Sequence, residues 1–140
     1  MVIPPPSIPP SIRGRLEDLY AVATARSDLQ LLVLFGSRAR GDAAAGSDWD
    51  FGYLGAPETD RAALSAALMA VLGTDRVDVA DLERATALLR FRAARDGVAV
   101  FEHSPGRFLR FQEEATIMWC DMEAVLQRAY GRVFDDLVRG

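Results

Sequence analysis

The spacing of apolar positions changes several times along the chain, and each change marks an element. Ile12, Leu16, Leu19, Tyr20 and Ala23 recur every three or four residues, which predicts a helix capped by Ser11 and running to about Arg26. Leu31 to Phe35 is an unbroken apolar run followed by Gly36, the pattern of a buried strand feeding a tight turn. Trp49 to Leu54 predicts a second strand. Pro57 and Glu58 open a helix that carries Leu64, Leu68, Val71 and Leu72 and stops at Gly73. The segment from Arg76 to Leu82 alternates and predicts a third strand. A helix from about Glu83 to Arg95 ends at Gly97, and Val98 to Phe101 adds a short edge strand.

After Ser104 and Pro105, read as a cap followed by a first helical position, the pattern stays periodic from Phe108 to Val138. One helix from Arg107 to Arg139 would reach about 50 Å at 1.5 Å per residue, longer than a compact domain of this size. Its apolar residues form two stripes, Phe108, Phe111, Ala115, Met118, Met122 and Val125 on one, and Leu109, Trp119, Leu126, Tyr130 and Phe134 on the other. One stripe is expected to serve a partner or a second copy. The alternative is a break near Gly131, with the helix folded onto its own domain. The fold class that results is α+β, a small mixed sheet with flanking helices and a C-terminal helical region. Residues 1–10 read as a proline-rich arm, 11–104 as the core domain and 105–140 as the helical region, five of the seven prolines falling in the arm.

Composition narrows the chemistry. All 16 basic residues are Arg, so neither a Schiff-base lysine nor a Walker-type phosphate lysine is available. One His and one Cys, His103 and Cys120, cannot build a structural zinc site or an intrachain disulfide. A net charge of −4 gives no bulk attraction to nucleic acid or to an anionic membrane, so direct nucleic-acid binding is not expected. No apolar run approaches the roughly 20 residues of a membrane span, and the N-terminus has no signal-peptide pattern. The expectation is a soluble, cytoplasmic, single-domain protein.

The informative stretch is Gly36-Ser37-Arg38-Ala39-Arg40-Gly41, then Asp48-Trp49-Asp50-Phe51-Gly52-Tyr53. A strand that ends in Gly-Ser and enters a short helix aims backbone N–H groups and a hydroxyl at one spot, a phosphate cradle. Gly36 would let a polyphosphate approach the backbone, and Arg38 and Arg40 would add charge-assisted bonds to its oxygens. Asp48 and Asp50, two apart on a strand, share a face with their Cα atoms about 7 Å apart. Carboxylates that close repel unless a cation lies between them, and hard oxygen donors select Mg²⁺. Asp78, a charge among Val77, Val79 and Ala80, is the third carboxylate of a two-metal arrangement. Alternation places Asp81 on the opposite face from Asp78, where it reads as a helix cap. Asp42 reads as a turn residue and His103 as a loop residue.

With ten residues between Ser37 and Asp48, this constellation resembles the minimal nucleotidyltransferases of the polymerase-β-like superfamily. Gly36, Ser37, Asp48, Asp50 and Asp78 each match that pattern. The Arg38-Ala39-Arg40-Gly41 continuation, the short chain and the helical tail resemble the antitoxins of HEPN/MNT toxin–antitoxin pairs. The resemblance implies Mg²⁺-dependent transfer of AMP from ATP to a tyrosine of a cognate HEPN ribonuclease toxin, with which the chain would form a hetero-oligomer. It implies that Gly36 and Ser37 hold the triphosphate, that Asp48 and Asp50 bind both metals, and that Asp78 ligates one and assists deprotonation of the acceptor. No HEPN-type Arg-(x4–6)-His motif precedes His103, so the chain reads as the transferase partner and not as the toxin. The alternatives are a binding-only antitoxin that masks its toxin, and a nucleotidyltransferase acting on a small molecule or an RNA end.

Overall fold

The computed structural model describes residues 9–139, so most of the proline-rich arm lies outside the described residues. Within the described part of the arm, Pro10–Ile12 forms a single 3-10 turn after a buried Pro9. Ser11 therefore caps no helix. Its hydroxyl donates to the Arg38 carbonyl at 2.8 Å, and the first helix, α1, spans only Leu16–Thr24.

Four strands follow the apolar runs: β1 Leu29–Phe35, β2 Trp49–Gly55, β3 Val77–Asp81 and β4 Val98–Glu102. They form one mixed sheet in the order β3-β2-β1-β4, with β2 and β3 parallel and the other pairs antiparallel. The parallel pair needs a crossover, and α3, Arg61–Leu72, supplies it. Asp60 caps α3 by accepting from Ala63 N, so the helix starts at Arg61, four residues after the expected start at Pro57, and Gly73 in the left-handed region ends it.

Strand alternation divides the core between the two faces of the sheet. Leu32, Leu34, Trp49, Phe51, Tyr53 and Val77 pack against α1 and α3. Leu31, Val33, Phe35 and Leu54 point the other way, toward α4 (Ala87–Asp96) and α5 (Arg107–Tyr130). Phe111 and Ala115 of α5 are fully buried there. On this second face β2 contributes Asp50 and Gly52, and β3 contributes Asp78 and Ala80. Leu82 packs over Gly52, but over Asp50, Asp78 and Ala80 the layer of large side chains stops short and a cavity opens beside α4.

Helix boundaries depart from the periodicity where local capping takes over. Thr86, not Asp81, caps α4 by accepting from Leu89 N, while Asp81 accepts from Glu83 N in the turn before it. Gly106, at φ 84°, precedes α5, and the Glu102 carboxylate accepts from Phe108 N at 2.8 Å in place of the expected Ser104 cap. The C-terminal region is two helices. Gly131, at φ 54° and ψ −121°, ends α5, and α6 (Arg132–Arg139) folds back to set Phe134 against Trp119. Trp119 thus continues the buried line of Phe111 and Ala115, while Met118 and Met122 are exposed. Five arginines act as clamps on backbone carbonyls: Arg15 on Leu72, Arg26 on Val22 and Ala63, Arg38 on Ala45 and Ser47, Arg76 on Gly46, and Arg90 on Leu82.

Candidate active site

The cavity beside α4 has a volume of about 800 Å³, within the range of small-molecule sites. Its floor is the end of β1 and the adjoining part of the sheet. Phe35 pairs with Asp50, and Asp50 pairs with Asp78 across the parallel strands. Residues directly opposite in a parallel pair share a face, so Asp50 and Asp78 stand side by side and both line the cavity. Asp81 does not line it.

Gly36 and Ser37 form the adjoining wall, where β1 passes into the four-residue helix α2, Ser37–Arg40. Gly36 adopts φ 72° and ψ −159°, a conformation open essentially to glycine alone. A Cβ built there would stand 2.5 Å from Asp50 Oδ2. The glycine thus brings the turn against the carboxylate, which occupies the space a side chain would need. The first amides of α2 have no partner within the helix and point along its axis.

The electrostatics mark Asp50. Its carboxyl is pushed above the ordinary range, first by burial, then by the charges of Asp78 and Asp48, with Arg40 offsetting part of the effect. Among the described residues, none of these three carboxylates takes part in a salt bridge. Asp48 lies one residue before β2 and is exposed. Its charge reaches Asp50, but it does not line the cavity. Among the described residues no three acidic, His or Cys side chains converge as a ready cation cage. The donor set nevertheless fits Mg²⁺, which takes one or two carboxylates and completes its shell with water and substrate phosphate oxygens.

The two arginines of the Gly-Ser segment part ways. Arg40 lines the cavity and bridges Asp42 at 3.2 Å and Asp96 at 3.5 Å. Arg38, expected beside the phosphates, points away. It donates to the Ser47 and Ala45 carbonyls and stacks 4.6 Å from the Trp49 ring centroid, which pins the loop before Asp48. Sequence spacing did not single out the cations of α4. Arg92, Arg95 and Asp96 line the cavity, as does Arg139 at the end of α6. Two hydrogen bonds of 3.0 Å from Arg95, together with the charge of Arg40, hold Asp96 below the usual carboxylate range despite its burial. The signal available in the sequence was the i, i+3, i+7 spacing of Leu89, Arg92 and Asp96, one face of a helix that follows the third Asp.

Comparison with known proteins shows the family. A model of the family described as polymerase beta, nucleotidyltransferase, matches residues 17–106. Protein adenylyltransferase MntA of Aphanizomenon flos-aquae is 32% identical, the match covering 64% of this chain and 67% of that protein. A crystal structure described as a toxin–antitoxin with AMP-PNP superposes with a TM-score of 0.68 at 26% identity, over 89% of this chain and 96% of that one. The MNT antitoxin fold in complex with a tri-AMPylated HEPN toxin of Shewanella oneidensis superposes with a TM-score of 0.67 at 23% identity, over 89% and 97% of the two chains. Sequence and fold thus converge on one assignment: the chain belongs to the polymerase beta nucleotidyltransferase family and is a minimal nucleotidyltransferase similar to MntA.

Proposed function

We propose that this nucleotidyltransferase is the antitoxin of a HEPN ribonuclease toxin, that it transfers AMP from ATP to a tyrosine hydroxyl of that toxin, and that it works in the cytoplasm with Mg²⁺. The observation that carries the reading is a single cavity in which the Gly36-Ser37 turn meets Asp50 and Asp78. The relatives support the partner: one is named a protein adenylyltransferase, and others were solved as toxin–antitoxin complexes.

Gly36 and Ser37 receive the triphosphate through backbone amides and the Ser37 hydroxyl, with negative charge favoured at a helix start. Asp50 and Asp78 would hold the metal, with the charge of Asp48 acting from just before β2; when bound, the ion lowers the pKa of the acceptor hydroxyl and offsets charge on the leaving group. The acceptor oxygen attacks the α-phosphorus in line, a new P–O bond forms, the bond to the β-phosphate bridging oxygen breaks, and pyrophosphate departs. The acceptor proton passes to Asp78 and then to solvent. No Lys exists to form a covalent intermediate, which favours direct transfer. Incubation with ATP labelled at the α-phosphate should label the toxin, whereas γ-labelled ATP should not. Label arriving from the γ-position would replace this reading with a kinase-type transfer.

A further inference from the structure

The cavity holds four guanidinium groups and three carboxylates, and their pairing is uneven. Asp96 takes Arg95 through two hydrogen bonds of 3.0 Å and Arg40 through one of 3.5 Å, and Arg40 is shared with Asp42. Arg92 lies on the same face of α4, one turn before Arg95 and Asp96, and is half-buried in the cavity wall. Among the described residues it makes no hydrogen bond and no salt bridge. It is within 4.0 Å of neither Asp50 nor Asp78, so the two signs of charge are presented separately, the acids on the floor and the guanidinium on the wall.

We propose that Arg92 is a binding residue for the polyphosphate of the nucleotide, facing the oxygens that the carboxylate-held cation leaves free. The inference rests on the nucleotidyltransferase reading of the same cavity. A guanidinium offers five donors in a planar fork, and a partly buried fork without acceptors is completed by an anion of matching geometry. A nucleotide polyphosphate with its cation satisfies both signs at once. Asp96 acts as a positioning residue. By engaging Arg95 and Arg40 it leaves Arg92 as the unpaired guanidinium of α4; Arg139, at the end of α6, is exposed and likewise without a salt bridge among the described residues.

The test is calorimetric binding of ATP and of AMP, each with Mg²⁺, to the full chain and to Arg92→Gln, with inorganic triphosphate as competitor and Arg13→Gln, remote from the cavity, as control. Loss of a charge-assisted contact should weaken ATP binding by roughly ten- to a hundredfold. AMP binding should change much less, and inorganic triphosphate should lose most of its power to compete. Arg92→Lys should recover part of the loss, since it keeps the charge without the fork. A structural role for Arg92 would instead weaken ATP and AMP together, and that result overturns the proposal. So does an Arg92→Gln chain that binds ATP like the wild type. A wild-type chain that binds no ATP removes the nucleotidyltransferase reading itself, and this inference with it.

Discussion

Asp50 concentrates the conflict between stability and function in one side chain. Burial and two neighbouring carboxylates raise its pKa, so in metal-free buffer, at pH values between the ordinary carboxylate value and the raised one, the folded protein holds a proton there that the unfolded chain has released. Its ionised form therefore costs stability above that raised value. Lowering the pH from there toward the ordinary carboxylate range recovers this stability. Asp50→Asn should raise the melting midpoint without metal by roughly 1–4 °C, the size of a stabilisation up to about 1 kcal/mol in a chain this long, and should flatten that pH dependence. Added Mg²⁺ should stabilise the wild type and leave Asp50→Asn unmoved; calorimetric melting reads all three. Gly36→Ala should destabilise by about 1–3 kcal/mol, because it joins a disfavoured φ to a clash with the Asp50 carboxylate, and denaturant titration measures it. Gly36, Ser37, Asp50 and Asp78 were legible in the sequence because strand alternation and a turn glycine fix where such residues point. Arg38 was not, since a long side chain beside a turn goes wherever acceptors lie, and here the Ala45 and Ser47 carbonyls win.

At the scale of elements, the strands followed their apolar runs, whereas the helix ends were set by acceptors that periodicity does not reveal. Asp60, Thr86 and Glu102 each satisfy a helix-start amide. The break at Gly131 matters most, because it turns a long helix into a hairpin and sends Phe134 back onto Trp119. The two-stripe reading of this region misplaced Met118 for the same reason. Residues three and four apart are both candidates for one face, and only the packing against Phe91 and Phe134 selects Trp119. What remain outside are exposed apolar side chains on α5 and α6, among them Ile117 at 64% exposure, Val125 at 52% and Val133 at 74%. Under the antitoxin reading these side chains meet the toxin. Ile117→Asp with Val125→Asp should leave melting within about 2 °C of wild type, as exposed sites do, while co-elution with the toxin is lost on size-exclusion chromatography with light scattering. Retained co-elution would place the interface elsewhere. Arg38→Gln frees two carbonyls of the loop preceding Asp48 and should cost about 1–2 kcal/mol by denaturant titration, with transfer slowed but not abolished.

For the molecule as a whole, the sheet divides its labour by face. One face, under α1 and α3, is closed by aromatic and branched side chains. The other stays partly open because Asp50, Asp78 and Ala80 do not fill it, and α4 and the end of α6 wall it with guanidinium groups. Under the antitoxin reading, Arg139 at the end of α6 joins the cavity to the helices that carry the exposed apolar side chains, so one binding event can present an acceptor hydroxyl to the cavity. The most direct measurement of transfer from this cavity is intact-mass spectrometry of the cognate HEPN toxin after incubation with the chain, ATP and Mg²⁺. Adenylyl mass increments should appear with the wild type, diminish with Ser37→Ala and vanish with the Asp48→Asn, Asp50→Asn double variant, while that variant still binds the toxin. A toxin that gains no mass with wild type, yet is neutralised equally well by the double variant, would contradict the account and leave masking as the mode of inhibition.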